Sequence, residues 1–139
     1  MTASGVALID TGPLVALLDA DDARHEACLE AFSELSSPPV TTWPVLTEAS
    51  YLLAEVPGGP LALLELVRRG AVMVSPLDAA DLPRLAQLLA KYADLPADLA
   101  DCSLVRVAER EGLRTILTLD RRDFGTYRLH GRSAFTILP

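Results

Sequence analysis

The chain is short of the residues that several common protein classes require. Its 139 residues include two cysteines, Cys28 and Cys102, too few for a disulfide framework or, by themselves, a four-ligand zinc site. They read as reduced thiols of a cytoplasmic protein, with Cys102 in an apolar run where a small hydrophobe belongs. No Lys or Arg precedes Arg24, and Asp10 interrupts the first apolar stretch, so no secretory leader is expected. No apolar run approaches the ~18 residues of a membrane span, so no membrane partner is expected either. His25 and His130 are the only histidines and read as surface or capping groups rather than a general base. Gly58-Gly59 lies between prolines with no lysine after it, which excludes a phosphate-cradling loop. Positive charge is also scarce: the net charge is −7, which argues against a general nucleic-acid coat.

Half of the residues are apolar and 22% are charged, the composition of a globular chain able to bury about 68% of its unfolded surface. No repeat, low-complexity segment or linker divides it, so residues 1–139 are expected to form a single domain. The charge is unevenly spread. Residues 1–56 hold nine acids and one base, whereas residues 102–139 hold four acids and seven arginines. Such a polarised surface would steer a polyanion toward one end and hold cations at the other.

Apolar runs alternate with helical stretches. Gly5–Ile9, Val40–Thr42, Ala71–Val74, Thr115–Leu119 and Phe135–Leu138 read as strands. Helices are expected after Pro13, from about Asp22 to Leu35, after Pro44, up to Arg69-Gly70, near residues 82–92 and over Ala97–Glu111. Near-continuous apolar strands separated by helices mean an α/β fold with a parallel sheet covered on both faces. In such sheets ligands bind beyond the carboxyl ends of the strands.

Acids gather at that edge. Asp10 follows the first strand and Asp120 follows Thr115–Leu119, while Glu48 lies one turn inside the helix after Val40–Thr42. Asp98 and Asp101 are three apart at the start of a helix that is apolar almost all round. Taken singly, Asp10 reads as a helix cap, Asp120 as a turn residue, Glu48 as a solvated helix residue and Asp98 as a charge complementing the helix dipole. Asp101, between Ala100 and Cys102, gains little from the dipole. Together they form a set of like charges with no lysine nearby in sequence, tolerable only if a cation joins them. Hard, all-oxygen ligands select Mg²⁺ or Mn²⁺. Such a site suits hydrolysis of phosphodiesters, the metal activating water and stabilising the attacking and leaving oxygens. Asp10-Thr11-Gly12 also matches the aspartic-peptidase triplet, but that chemistry needs two such aspartates in a β-rich fold. A haloacid-dehalogenase-like phosphotransferase would carry a second Asp at position 12. Trp43 and Tyr51 read as core or interface packing residues ahead of rings that stack on a base.

Four segments carry a family likeness: the hydrophobic strand ending in Asp10-Thr11, the pair Thr47-Glu48, Leu99-Ala100-Asp101-Cys102-Ser103-Leu104-Val105, and Thr118-Leu119-Asp120-Arg121-Arg122-Asp123-Phe124. Over essentially its whole length the chain resembles PIN-domain proteins of the VapC kind, the ribonuclease toxins of VapBC toxin–antitoxin modules. The resemblance implies a three-layer α/β/α domain with a central, mostly parallel five-stranded sheet. It implies that Asp10, Glu48, Asp101 and Asp120 bind Mg²⁺ or Mn²⁺ and carry RNA cleavage. Thr11 and Thr118 are then the small hydroxyl residues that orient those acids. Asp98 matches an acid found in part of the family and is expected as a helper; Asp123 reads as a residue that supports the acids or, preferably, as a cap of the Arg121-bearing turn. Cys102 stands where alanine is usual. Arg121 and Arg122, which follow one of these acids, read as contacts to RNA phosphates or equally as solvated residues that pair with the acidic N-terminal half. The resemblance further implies a homodimer, and inhibition by a VapB-like antitoxin whose C-terminal segment lies over the acidic cleft. Two other activities fit the same fold: a non-catalytic RNA-binding module, separable by cleavage in metal, and a single-stranded DNA nuclease, separable with matched oligonucleotides.

Overall fold

A computed structural model describes residues 5–95 and 97–139. Its strands are β1 (Ala7–Ile9), β2 (Val40–Thr41), β3 (Met73–Val74), β4 (Thr115–Leu117), β5 (Arg128–Leu129), β6 (Ser133–Ala134) and β7 (Thr136–Leu138). Five of them form one sheet in the order β3-β2-β1-β4-β7, every neighbouring pair parallel. β1 is the central strand, and all three of its residues are buried, as expected for a strand covered on both faces. Leu8, Ile9, Leu14, Val45, Leu104, Ile116 and Phe124 belong to the core that surrounds it. β5 and β6 pair separately and antiparallel, a hairpin the apolar pattern does not show. Its turn places His130 and Gly131 at positive φ, closed by Arg132 N–H donating to the Leu129 carbonyl at 2.9 Å. Two left-handed central residues match the twist of a hairpin.

The helices are α1 (Thr11–Leu18), α2 (His25–Ser33), α3 (Trp43–Leu52), α4 (Gly59–Arg68), α5 (Leu82–Lys91), α6 (Leu99–Glu111) and α7 (Arg121–Thr126). α2 starts three residues later than the pattern suggests. The Asp19 and Asp22 side chains accept from the Asp21 and Arg24 N–H groups at 3.0 and 2.8 Å, and these turns compete with helix. α6 starts at Leu99 rather than Ala97 because Asp98 caps it, its Oδ1 accepting from Asp101 N–H at 2.8 Å. α7 replaces the turn expected after β4. Between α3 and α4 the chain doubles back so tightly that a Cβ on Gly59 would lie 2.7 Å from the Leu53 carbonyl oxygen.

The start of α5 is fixed by a buried acid. Asp78 and Asp81 cap each other's backbone in a 3₁₀ turn over Ala79–Asp81. Asp81 also accepts from Arg106 Nε at 2.7 Å and from Arg110 Nη1 at 3.0 Å. Its carboxyl is held down to about 2, first by the Asp78 N–H and then by these arginines. This web ties the start of α5 to the outer face of α6.

Candidate active site

β1 and β4 run side by side in register, Ile9 opposite Leu117, so the segments leaving the two strands meet at the carboxyl edge of the sheet. Asp10 comes directly after β1, and its N–H donates to the Leu117 carbonyl at 3.0 Å. Thr118 continues β4, its N–H donating to the Leu138 carbonyl at 2.9 Å. Its side chain turns to Asp10, Oγ1 donating to Oδ2 at 2.8 Å, and also accepts the Asp120 N–H at 3.0 Å. One hydroxyl thus sets the position of two acids. Thr11 donates its backbone N–H to Asp10 Oδ1 at 2.8 Å and its hydroxyl to Glu48 Oε1 at 2.6 Å. Glu48 reaches this point from the middle of α3. Tyr127 donates its hydroxyl to Asp101 Oδ2 at 2.7 Å.

Asp10, Glu48, Asp98, Asp101, Asp120 and Asp123 line one cleft of about 490 Å³, closed by Gly12, Leu52, Leu95 and Leu119 among others, with no Lys or Arg in its walls. Asp10, Asp98 and Asp120 each cap a helix, α1, α6 and α7 respectively. Asp10 and Asp98 are thus the helix-start residues they read as singly, whereas Asp120 caps a helix instead of a turn and Glu48 is bonded to Thr11 instead of solvated. In each of the three caps, a carboxylate oxygen satisfies a backbone N–H at a helix start, where the dipole favours negative charge. Three helix N-termini point their caps into the same hollow.

Burial and mutual repulsion set the electrostatics. Desolvation pushes the Asp10 carboxyl up to about 6 against its bonds to Thr11 and Thr118, and the charges of Glu48 and Asp120 add to the rise. Desolvation pushes Asp101 up to about 7; the Tyr127 bond opposes this, while Asp10, Asp98 and Asp120 reinforce it. The Asp123 carboxyl is raised by burial and then by Asp120 beside it. Among the described residues no three acids close on a single point as a finished cage. The donor set is nonetheless all oxygen and open to solvent. A divalent cation is the partner that would lower the cost of ionising Asp10 and Asp101 together.

The arrangement also departs from the sequence-based expectations. Asp120 lies three residues beyond β4 rather than directly after the strand, because β4 ends at Leu117. Asp123 is not the cap of the α7 turn. Asp120 is, accepting the Asp123 N–H at 3.0 Å, and the Asp123 side chain faces the cleft. Arg121 and Arg122 are exposed and outside the cleft walls; Arg121 donates to the Pro139 carbonyl at 2.7 Å. Tyr127 is absent from the residues the sequence singles out, because the segment after Asp120 reads as a basic tail. The spacing Asp120-x-x-Asp123 before an apolar Phe124 is the helix-start signal that brings Tyr127 into view.

A family model described as the PIN domain matches residues 7–128. The ribonuclease VapC26 of Mycobacterium tuberculosis is 36% identical over 134 residues, spanning 95% of this chain and 99% of that protein. The crystal structure of VapC20 from the same organism, a sarcin–ricin loop cleaving toxin, superposes with a TM-score of 0.79 at 18% identity, covering 96% of this chain and 99% of its own. VapBC2 from Rickettsia felis, solved bound to a DNA fragment from its promoter, gives 0.63 at 12% identity over 95% and 96%. Those two likenesses concern the fold.

Proposed function

The chain belongs to the PIN-domain family and stands within it among the VapC ribonucleases, and from that premise we propose that it is an endoribonuclease dependent on Mg²⁺ or Mn²⁺, the toxin of a VapBC-type module. One observation carries the reading: acids from α3, α6 and the ends of β1 and β4 line a single cleft with no basic residue in its walls.

In this reading residues 1–139 act as one PIN domain in the cytoplasm. Asp10, Glu48, Asp101 and Asp120 hold the metal, and Asp98, in the wall of the same cleft, assists. When bound, the ion supplies activation of water and stabilisation of charge at the scissile phosphate. The protein's own share is placement. Thr118 fixes Asp10 and the start of α7, Thr11 ties Glu48 to the end of β1, and Tyr127 holds Asp101 against the repulsion of its neighbours. Thr11 and Thr118 thus orient the acids without any need to touch RNA. Arg121 and Arg122, beyond the acid rim, meet the phosphates of the flanking strand. A homodimer, and a VapB-like antitoxin that covers the cleft, complete the assignment.

The test is cleavage of single-stranded RNA by the purified chain, with Mg²⁺ or Mn²⁺ and with EDTA, beside a DNA oligonucleotide of matched sequence. RNA cut only with metal, leaving 5′-phosphate and 3′-hydroxyl ends, is the expected result. Undiminished cleavage by both Asp10→Asn and Asp101→Asn would overturn the assignment.

A further inference from the structure

Two adjacent threonines at the end of β2 send their hydroxyls to different parts of the site. Thr41 Oγ1 donates to the Ile9 carbonyl at 3.0 Å, one residue before Asp10. Thr42 Oγ1 lies 2.6 Å from the Oγ of Ser103, two residues beyond Asp101. Ser103 gives its single hydroxyl proton to the Ala100 carbonyl at 2.7 Å, so Thr42 is the donor of the pair. Neither side chain has exposed surface. Thr42 also stands at the N-cap of α3, yet its side chain makes no cap bond, whereas α1, α6 and α7 are each capped by an acid of the cleft. Among the described residues, the Thr42–Ser103 bond is the one side-chain hydrogen bond joining the starts of the helices that carry Glu48 and Asp101.

We propose that Thr42 and Ser103 are positioning residues, whose hydroxyl pair fixes the start of α3 against α6 and so sets the spacing of Glu48 and Asp101 for a divalent cation. The proposal rests on the metal-dependent ribonuclease reading above and adds two residues that act through the acids without touching ion or RNA. Stability does not account for the pair. Buried hydrogen-bonding partners exchanged together for apolar groups of the same shape leave stability nearly unchanged, and here α3 and α6 already bury Val45, Leu46, Ala49, Leu104 and Val105. What a hydrogen bond adds to apolar packing is direction, since it holds two oxygens at one distance and angle. A working site needs its groups placed to within about 0.5 Å. Thr11 ties Glu48 to the end of β1, and Tyr127 ties Asp101 to the segment after α7. Neither of those bonds relates α3 to α6. The Thr42–Ser103 pair does.

Thr42→Val, Ser103→Ala, their double variant and Thr42→Ser are compared with the wild type. Mn²⁺ affinity is read from the EPR signal of the free ion with no RNA present, and steady-state cleavage is followed against Mg²⁺ and against RNA. The double variant is expected to melt near wild type, to bind Mn²⁺ about tenfold more weakly and to need correspondingly more Mg²⁺, with KM for RNA unchanged. It loses no more affinity than the weaker of the two single variants, because the residues act as one unit. Thr42→Ser, which keeps the hydroxyl, restores both metal readouts. Wild-type Mn²⁺ affinity in the double variant overturns the proposal. So does a double variant that no longer folds, which would assign the pair to stability, and so does a Thr42→Ser that binds as weakly as Thr42→Val. Wild-type protein that binds Mn²⁺ and cuts RNA while the double variant matches it defeats the positioning role alone. Wild-type protein that neither binds Mn²⁺ nor cuts RNA defeats the ribonuclease reading, and the proposal with it.

Discussion

Tyr127 and Asp101 lie 26 residues apart in the chain and are joined by a 2.7 Å bond from the phenol hydroxyl to Oδ2. The Tyr127 ring is buried edge-on between Phe124 and Tyr92, at centroid distances of 5.0 and 4.8 Å, so its hydroxyl has little freedom to turn elsewhere. Among the forces acting on Asp101, this bond is the one that favours ionisation.

Tyr127→Phe removes the oxygen and keeps the packing. The Asp101 carboxyl, already pushed up to about 7, moves higher, by about one unit for a hydrogen bond to a charged group worth roughly 1.5 kcal/mol. The acid limb of the kcat/KM profile therefore shifts upward. Activity at pH 7 falls about fivefold and largely recovers near pH 9. A uniform loss at every pH would count against this role.

Asp10 stores repulsion that the metal-free protein must tolerate. Its carboxyl titrates at about 6 when folded, against the ordinary aspartate value of 3.8. The folded chain therefore keeps a proton that the unfolded chain has lost across this interval, and stability declines as pH rises through it. The decline amounts to roughly 2–3 kcal/mol for this group. Thermal melts in EDTA are expected to show a higher Tm at pH 5 than at pH 8. Asp10→Asn narrows that difference, the Asp101 carboxyl supplying the remainder, raises Tm at pH 8 and abolishes cleavage. Mg²⁺ raises Tm at pH 8 in the wild type but not in this variant.

Thr118→Val keeps the volume and deletes one hydroxyl that serves both Asp10 and the Asp120 N–H. A loss of about 1–2 kcal/mol in urea unfolding is expected. Metal affinity, followed by the Mg²⁺ dependence of cleavage, should weaken about tenfold or more, as for other residues that orient ligands. Cleavage that saturates at the same Mg²⁺ concentration as the wild type would remove Thr118 from that role.

Asp81 separates stability from activity. It lines a different hollow, with Arg106 and Arg110, and its removal leaves the half-buried Arg106 without a carboxylate and Arg110 with Glu111 alone. Asp81→Asn should destabilise by roughly 3 kcal/mol while leaving cleavage per folded molecule unchanged. A specific loss of kcat at full folding would show coupling between the two regions.

The five strands of the main sheet and the gathering of the four acids at its carboxyl edge are legible because each depends on local pattern. An apolar run followed by Asp10 says where a parallel strand ends, and Glu48 and Asp101 are placed by helical spacing. What escaped was decided by partners distant in sequence. Asp123 reads as a cap until Asp120 is seen to accept its N–H, and Tyr127 is an aromatic in a basic tail until it meets Asp101. The tail's seven arginines are equally deceptive as a count. Arg106 and Arg110 are paired with Asp81, Arg121 bonds the Pro139 carbonyl, and Arg128 bonds the Gly125 and Tyr127 carbonyls. Pairing with Asp81 offsets Arg106 and Arg110, whereas arginines bonded to neutral carbonyls keep their charge, so the expected polarity is only partly reduced.

The central place of β1 has a consequence for synthesis. Its neighbour on one side, β4, begins at Thr115, and Asp120 and Tyr127 come later still. A chain emerging from the ribosome therefore carries Asp10 and Glu48 for most of its elongation, and then Asp101, without the strand that would bring them into register. Whatever damage the finished protein does to RNA, the translation apparatus making it is spared until the last few dozen residues are in place.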